Sequence, residues 1–168
     1  APSRTHDPAG LSVAIIGGGF SGVDAAVTLV RSGFTSFTIF EKSKSLGGVW
    51  WDTTYPGAEV DTASLVYSFG FKPHNWTRTH ATRDELLAYI KETADEYGLM
   101  DRVRLGTEVT ALSWSETAHE YLLTASSGET FHFDAVISAV GFLNVPNVPT
   151  WDGMDDFPGP VFHSAQWQ

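Results

Sequence analysis

Val13-Ala14-Ile15-Ile16-Gly17-Gly18-Gly19-Phe20-Ser21-Gly22 is the stretch whose reading decides the fold. Four apolar residues run into a glycine turn, and a helical pattern follows. The glycines fall as G-x-G-x-x-G at Gly17, Gly19 and Gly22. The first such glycine permits a sharp turn, the second lets backbone N–H groups approach a pyrophosphate, and the third lets a helix pack close to the strand. A helix starting there would present unpaired N–H groups and the positive end of its dipole to that anion. Taken alone, the triplet also fits a glycine-rich turn in an ordinary α/β domain.

Working outward, Ser12 to Ile16 reads as a strand buried on both faces. Val23, Ala26, Val27 and Val30 recur at helical spacing, predicting a helix over Ser21 to Ser32 with Gly33 as its C-terminal stop. Phe37 to Glu41 reads as a second strand. This strand–turn–helix–strand unit predicts two parallel strands joined by a right-handed crossover. Glu41 stands about twenty positions after the last glycine, where a carboxylate accepts hydrogen bonds from ribose hydroxyls. A glutamate there repels a 2′-phosphate, so the site suits FAD or NAD better than NADP. A lone solvated glutamate at a strand end is the simpler alternative.

Lys42 to Pro73 shows no period, but it carries Gly47-Gly48, Pro56-Gly57 and the adjacent Trp50 and Trp51. Long irregular stretches in compact domains are functional or disordered, and aromatic content argues against disorder. Thr82 and Glu85 form a capping-box pattern opening a helix, with Leu86, Leu87, Ile90, Ala94 and Tyr97 on one side and Gly98 at its end. Val103 to Leu105 is a short strand. Glu108 to Trp114, Glu120 to Ala125 and Glu129 to Phe133 predict a small antiparallel meander. Asp134 to Gly141 is an apolar strand expected to rejoin the parallel sheet. The expected organisation is a flexible N-terminal arm over 1–10, a nucleotide-binding domain over 11–145 and a connecting segment over 146–168.

Composition bounds the function. The 168 residues hold 10 Lys and Arg against 20 Asp and Glu, a net charge of -10, which argues against nucleic acid and anionic membranes as partners. Any phosphate would therefore be held by backbone groups. There is no cysteine, which excludes disulfides and thiol chemistry. No apolar run approaches membrane-spanning length, and Ala1 to Gly10 lacks a signal-peptide core. A soluble cytoplasmic protein is expected. His6, His74, His80, His119 and His132 show no metal-ligand spacing, so no metal is expected.

Several motifs then line up in order. Beside the glycine triplet and Glu41 stand Glu41-Lys42-Ser43-Lys44-Ser45-Leu46-Gly47-Gly48-Val49-Trp50, Tyr55-Pro56-Gly57-Ala58-Glu59-Val60-Asp61, Thr107-Glu108-Val109 and Ala139-Val140-Gly141. Last comes Phe157-x-Gly159-x-x-x-His163-x-x-x-Trp167. The chain resembles the N-terminal FAD-binding portion of the Baeyer–Villiger monooxygenases, class B flavin-dependent monooxygenases. Val140 departs from the usual A-T-G of the family, and Gln168 stands where its signature continues with Pro or Asp.

The resemblance implies a Rossmann-like, glutathione-reductase-type FAD domain with a parallel sheet and an antiparallel meander, lacking the NADPH domain and the C-terminal return segment. It implies cofactor contacts at Gly17, Gly19, Phe20, Ser21, Gly22, Glu41, Lys42, Gly48, Val49, Trp50, Tyr55, Asp61, Tyr67, Val109, Ala139 and Gly141. Asp61 is the implied catalytic carboxylate, holding an arginine from the NADPH domain whose charge stabilises developing anions. His163 is implied to act indirectly, in a linker that couples domain movement to catalysis, and a hydrogen-bonded structural histidine is the alternative. In the complete enzyme NADPH would reduce FAD, and a C4a-peroxyflavin would convert a ketone to an ester or lactone. This chain alone is expected to be inactive, with surface exposed by truncation driving self-association. The alternatives are an N- or S-oxygenating flavin monooxygenase, an NAD-dependent dehydrogenase and a non-enzymatic Rossmann-like module.

Overall fold

The computed structural model describes residues 10–167. The expected N-terminal arm therefore lies almost wholly outside the described residues, as does Gln168. Strand β1 spans Val13–Ile16, helix α1 Phe20–Arg31 and strand β2 Phe37–Phe40. β1 and β2 pair in parallel, with Val13 opposite Phe37 and Ile16 opposite Phe40. β1 thus begins one residue later than expected and β2 ends one residue earlier: Ser12 precedes β1 and donates to the Asp134 carboxylate, and Glu41 follows β2 with its side chain turned inward.

The irregular stretch contains one short helix, α2, Val49–Asp52. Helix α3 spans Arg83–Glu96, followed by strand β3, Val103–Arg104, which pairs in parallel with β2. Strands β4, Val109–Ser115, β5, Glu120–Ala125, and β6, Thr130–Phe133, form the antiparallel meander. Strand β7, Ala135–Ser138, returns beside β1 in parallel, giving a four-stranded sheet of order β3-β2-β1-β7.

Alternation along β1 sends its side chains to two layers. Val13 and Ile15 pack with Val23, Val27, Leu86 and Ile90 of the helical layer. Ala14 faces the other way, with Phe40, Leu123 and Phe133 of the meander side. Both faces of the strand are covered, as its unbroken apolar run predicts. Removing an Ile15-sized side chain from water contributes about 1.5–3 kcal/mol, and Ile15 and Ile39 are fully buried.

The capping box at α3 is half formed. The Thr82 hydroxyl accepts from Glu85 N–H at 3.4 Å. The Glu85 carboxylate does not reach back to Thr82. It accepts from Thr77 N–H at 2.9 Å and from the Thr77 hydroxyl at 2.8 Å, so it ties α3 to the preceding loop. Two donors on one residue outcompete the single N–H of the expected box. Tyr89 and Thr93 are buried on α3 beside the expected apolar positions. Among the described residues, no helix is long and apolar enough to cross a membrane.

Candidate functional site

The loops leaving β1, β2 and β7 meet at the C-terminal edge of the parallel sheet, where open α/β sheets hold their ligands. Gly17 has φ +108°, and a Cβ placed there would lie 2.4 Å from the Ala139 carbonyl oxygen. A Cβ on Gly22 would fall 1.9 Å from the Gly17 oxygen, so the helix start rests directly on the turn. Gly47 N–H donates to Gly18 O at 2.9 Å. Gly48, at φ +54°, leaves only 2.8 Å between a notional Cβ and Gly19 Cα. The three loops are therefore in backbone-to-backbone contact, and side chains are excluded from where they meet.

The start of α1 opens onto this junction. Gly19 is its N-cap, with no side-chain cap and no acidic residue in the first turn. The first intrahelical bond runs from Val23 N–H to Gly19 O. The N–H groups of Phe20, Ser21 and Gly22 precede it and have no partner within the helix. Beside them, Glu41 is buried and its carboxylate is held at both oxygens. Oε2 accepts from Gly18 N–H at 2.6 Å and Oε1 from Ser43 N–H at 2.7 Å. Each oxygen has a second lone pair left for another donor. Thr107 N–H donates to the Glu41 carbonyl at 2.8 Å, which brings Val109 at the start of β4 to the same side. The Lys42 ammonium donates to the Asn144 side chain, bridging the loops after β2 and β7.

An aromatic wall continues from the helix start. Phe20 lies 4.9 Å from Tyr67 and stacks on Phe69 at 4.1 Å between ring centroids. Trp50 is buried, and its indole N–H donates to the Tyr67 hydroxyl at 3.1 Å. Val49, Tyr55 and Asp61 are exposed, and Ala139 is half-buried beside Gly17. Gly141 is exposed at φ +74°. Among the described residues, the Asp61 carboxylate makes no hydrogen bond or ion pair.

The family model for flavin-binding monooxygenase-like proteins matches residues 10–168. The chain belongs to the flavin-binding monooxygenase-like family. A Baeyer-Villiger monooxygenase of Streptomyces coelicolor is 42% identical over 156 residues, covering 92% of this chain and 30% of the relative. One from Pseudomonas aeruginosa is 41% identical over 156 residues, with the same coverage of 92% and 30%. Cyclohexanone monooxygenase from Rhodococcus sp. Phi1 bound to NADP+ superposes with TM-score 0.85 at 32% identity, over 94% of this chain and 31% of that one. The OTEMO complex with FAD and NADP gives TM-score 0.85 at 30% identity, over 95% and 31%. The chain spans about 30% of the length of the curated relatives it matches.

Within this flavin-binding monooxygenase-like chain, the segment after β7 has its own local order. The Phe157 ring lies over Gly159, where a Cβ would meet it at 2.7 Å. His163 is half-buried, and its Nδ1 accepts from Ala165 N–H at 3.1 Å, capping a short 3-10 turn at Ser164–Gln166. Phe162 and Trp167 meet edge-on at 5.1 Å. A shallow depression of about 440 Å3 lies between Ser64, Leu65, His74, Trp76, Arg78 and their neighbours, and none of the junction glycines lines it. Its open, mixed lining makes it a weaker candidate than the glycine junction, where three loops converge.

Sequence reasoning missed the groups that hold the wall in place. Ser64 is buried: its hydroxyl accepts from Ala81 N–H at 2.7 Å and donates to Thr79 O at 2.9 Å. Arg83 donates to the Trp51 carbonyl at 2.9 Å, while its buried Nε has no hydrogen-bond partner among the described residues. Tyr89 stands at i+3 from Leu86, a position the apolar pattern already marks as inward. Burial pushes its hydroxyl above the ordinary tyrosine value, so it remains a neutral donor.

Proposed function

We propose that this chain is the FAD-holding portion of an NADPH- and O2-dependent Baeyer–Villiger-type monooxygenase that converts ketones to esters or lactones. The junction of Gly17, Gly22 and Gly48 with the uncapped start of α1 carries the reading. It is a cradle that any Cβ would fill, lined by free backbone N–H groups. Such a surface suits a pyrophosphate in a chain whose net charge is -10. The Glu41 carboxylate, already fixed by two backbone donors, suits a ribose diol and opposes a 2′-phosphate. That supports FAD over NADP at this fold.

In this reading Gly17, Gly19 and Gly22, with the N–H groups of Phe20 and Ser21, hold the pyrophosphate. Glu41 and Lys42 hold the adenosine ribose, and Val109 the adenine edge. Gly48, Val49, Trp50, Tyr55 and Tyr67 bound the ring-bearing end, and Ala139 and Gly141 close the opposite side. FAD when bound supplies hydride acceptance and oxygen activation; these residues orient it and exclude water. Asp61 is proposed to anchor a cation supplied from elsewhere in the full enzyme, in keeping with its exposed, unpaired carboxylate. His163 is proposed to act indirectly, by ordering the segment after β7.

The proposed organisation keeps the nucleotide-binding domain at 11–145 and a linker at 146–168. The proposed location is the cytoplasm, where NADPH is available. Phe142, Leu143 and Val145 are exposed in sequence after β7, and we expect them to drive self-association of the isolated chain, visible by light scattering.

The test is to incubate the purified chain with excess FAD, remove free cofactor and record the visible spectrum. Retained flavin bands support the reading. A colourless protein overturns it and favours a non-enzymatic module.

A further inference from the structure

We propose that Tyr89 is a positioning residue for the flavin site, acting through the Phe69–Lys72 turn; the inference rests on the FAD reading above. Tyr89 lies on α3, is fully buried and belongs to none of the sequence motifs. The turn it serves is closed by Lys72 N–H donating to Phe69 O at 3.0 Å. That leaves the N–H of Phe69 and the carbonyl of Lys72 pointing into the protein. A single hydroxyl satisfies both: Tyr89 Oη accepts from Phe69 N–H at 2.9 Å and donates to Lys72 O at 2.7 Å. Buried backbone groups left unpaired are destabilising, so this hydroxyl fixes where the turn sits against α3.

The turn in turn fixes the wall of the cradle. Phe69 stacks on Phe20 with centroids 4.1 Å apart, and Phe20 is the first residue of α1, directly after the Gly19 cap. Tyr67, two residues before Phe69, meets Phe20 at 4.9 Å and accepts from the Trp50 indole. The loop carrying these rings has no regular secondary structure of its own between Asp61 and Ala81. Its placement depends on side-chain anchors, of which Ser64 ties the two ends together through Ala81 and Thr79, and Tyr89 holds the middle at Phe69 and Lys72. Packed cores transmit displacement instead of absorbing it. A slack turn would therefore move Phe69, and with it Phe20, Tyr67 and the free N–H groups beside them.

The experiment compares the chain with Tyr89→Phe, Phe69→Leu and a remote control, Asp134→Asn, at the opposite end of the parallel sheet from the cradle. Tyr89→Phe removes the hydroxyl and keeps the ring. Phe69→Leu keeps both backbone bonds and removes the ring that bears on Phe20. FAD affinity is read by flavin fluorescence titration, the bound-flavin environment by visible circular dichroism, and folding by far-ultraviolet circular dichroism. Both site variants should bind FAD at least about tenfold more weakly and share an altered visible dichroism spectrum. Asp134→Asn should lose stability and keep the wild-type spectrum of bound flavin. If Tyr89→Phe and Phe69→Leu bind FAD as the parent does, with its spectrum, the proposal is overturned and the FAD reading stands. If Tyr89→Phe fails to fold, Phe69→Leu decides alone. If the parent chain takes up no FAD, the FAD reading falls and this inference with it.

Discussion

The backbone N–H of Gly18 donates to Glu41 Oε2 over 2.6 Å, so the turn after β1 and the carboxylate ending β2 form one hydrogen-bonded unit. Glu41→Gln replaces one acceptor by an amide donor facing either Gly18 N–H or Ser43 N–H. We expect a stability loss of about 1–3 kcal/mol, the usual range for an orphaned buried donor, and FAD binding weakened at least about tenfold. Urea unfolding and FAD titration read the two effects. A variant that matches the parent in both would remove Glu41 from the site.

The glycines of the triplet should separate by experiment. At Gly22 an alanine Cβ would sit 1.9 Å from a backbone oxygen, which no side-chain movement relieves. Gly22→Ala should destabilise by about 3 kcal/mol or more, at the upper end of overpacking. At Gly19 the nearest atom to a Cβ is Gly48 Cα at 3.4 Å, an ordinary contact, and φ is -81°. Gly19→Ala should therefore fold normally and lose FAD affinity. Equal thermal melting of the two variants would contradict the cradle geometry.

Asp134 gives a pH signature. Its carboxylate is held below the ordinary aspartate value, first by the Ser12 hydroxyl and then by Ser12 N–H. A depressed folded value stabilises the protein above the unfolded pKa, and that contribution disappears as pH falls through the folded value. The group is largely solvent-exposed, so the effect is discounted to below about 1 kcal/mol. Asp134→Asn should be less stable than the parent at neutral pH, and the gap should close in acid. A gap that widens in acid would reverse the assignment.

NADPH consumption supplies a fourth check. The sequence contains a single G-x-G-x-x-G, and the Glu41 beside it is proposed to oppose a 2′-phosphate. The purified chain with FAD, NADPH and a cyclic ketone should show no ketone-dependent NADPH oxidation. Coupled turnover would require a second nucleotide site within these residues.

Legibility followed the range of the interactions. Residues 12–41 could be read because the apolar pattern changes from continuous to helical across three glycines, all within one local unit. Glu41 was legible by its spacing, but its partners, Gly18 N–H and Ser43 N–H, were not, since spacing does not orient a carboxylate. The stretch after Lys42 was opaque because its order rests on distant pairs: Gly47 with Gly18, Ser64 with Ala81, Tyr89 with Phe69. Glu85 was misread for the same reason, since Thr77 offered two donors that the local capping pattern does not reveal. The meander and the return of the last strand were recovered: β5 falls where expected, β4 is displaced by one residue, and β6 and β7 are shorter than the expected runs.

The contact of Gly17 with Ala139 ties the cradle to the order of folding. Ser12 and Asp134, which precede the two strands leading into those residues, are bonded across 122 positions of chain. Closing so long a loop is a late and entropically costly step. A chain still short of β7 has the glycine turn but lacks the backbone against which it is shaped. Cofactor capture is thereby coupled to completion of the sheet, and a ligand that binds only the finished form would pull the folding equilibrium toward it.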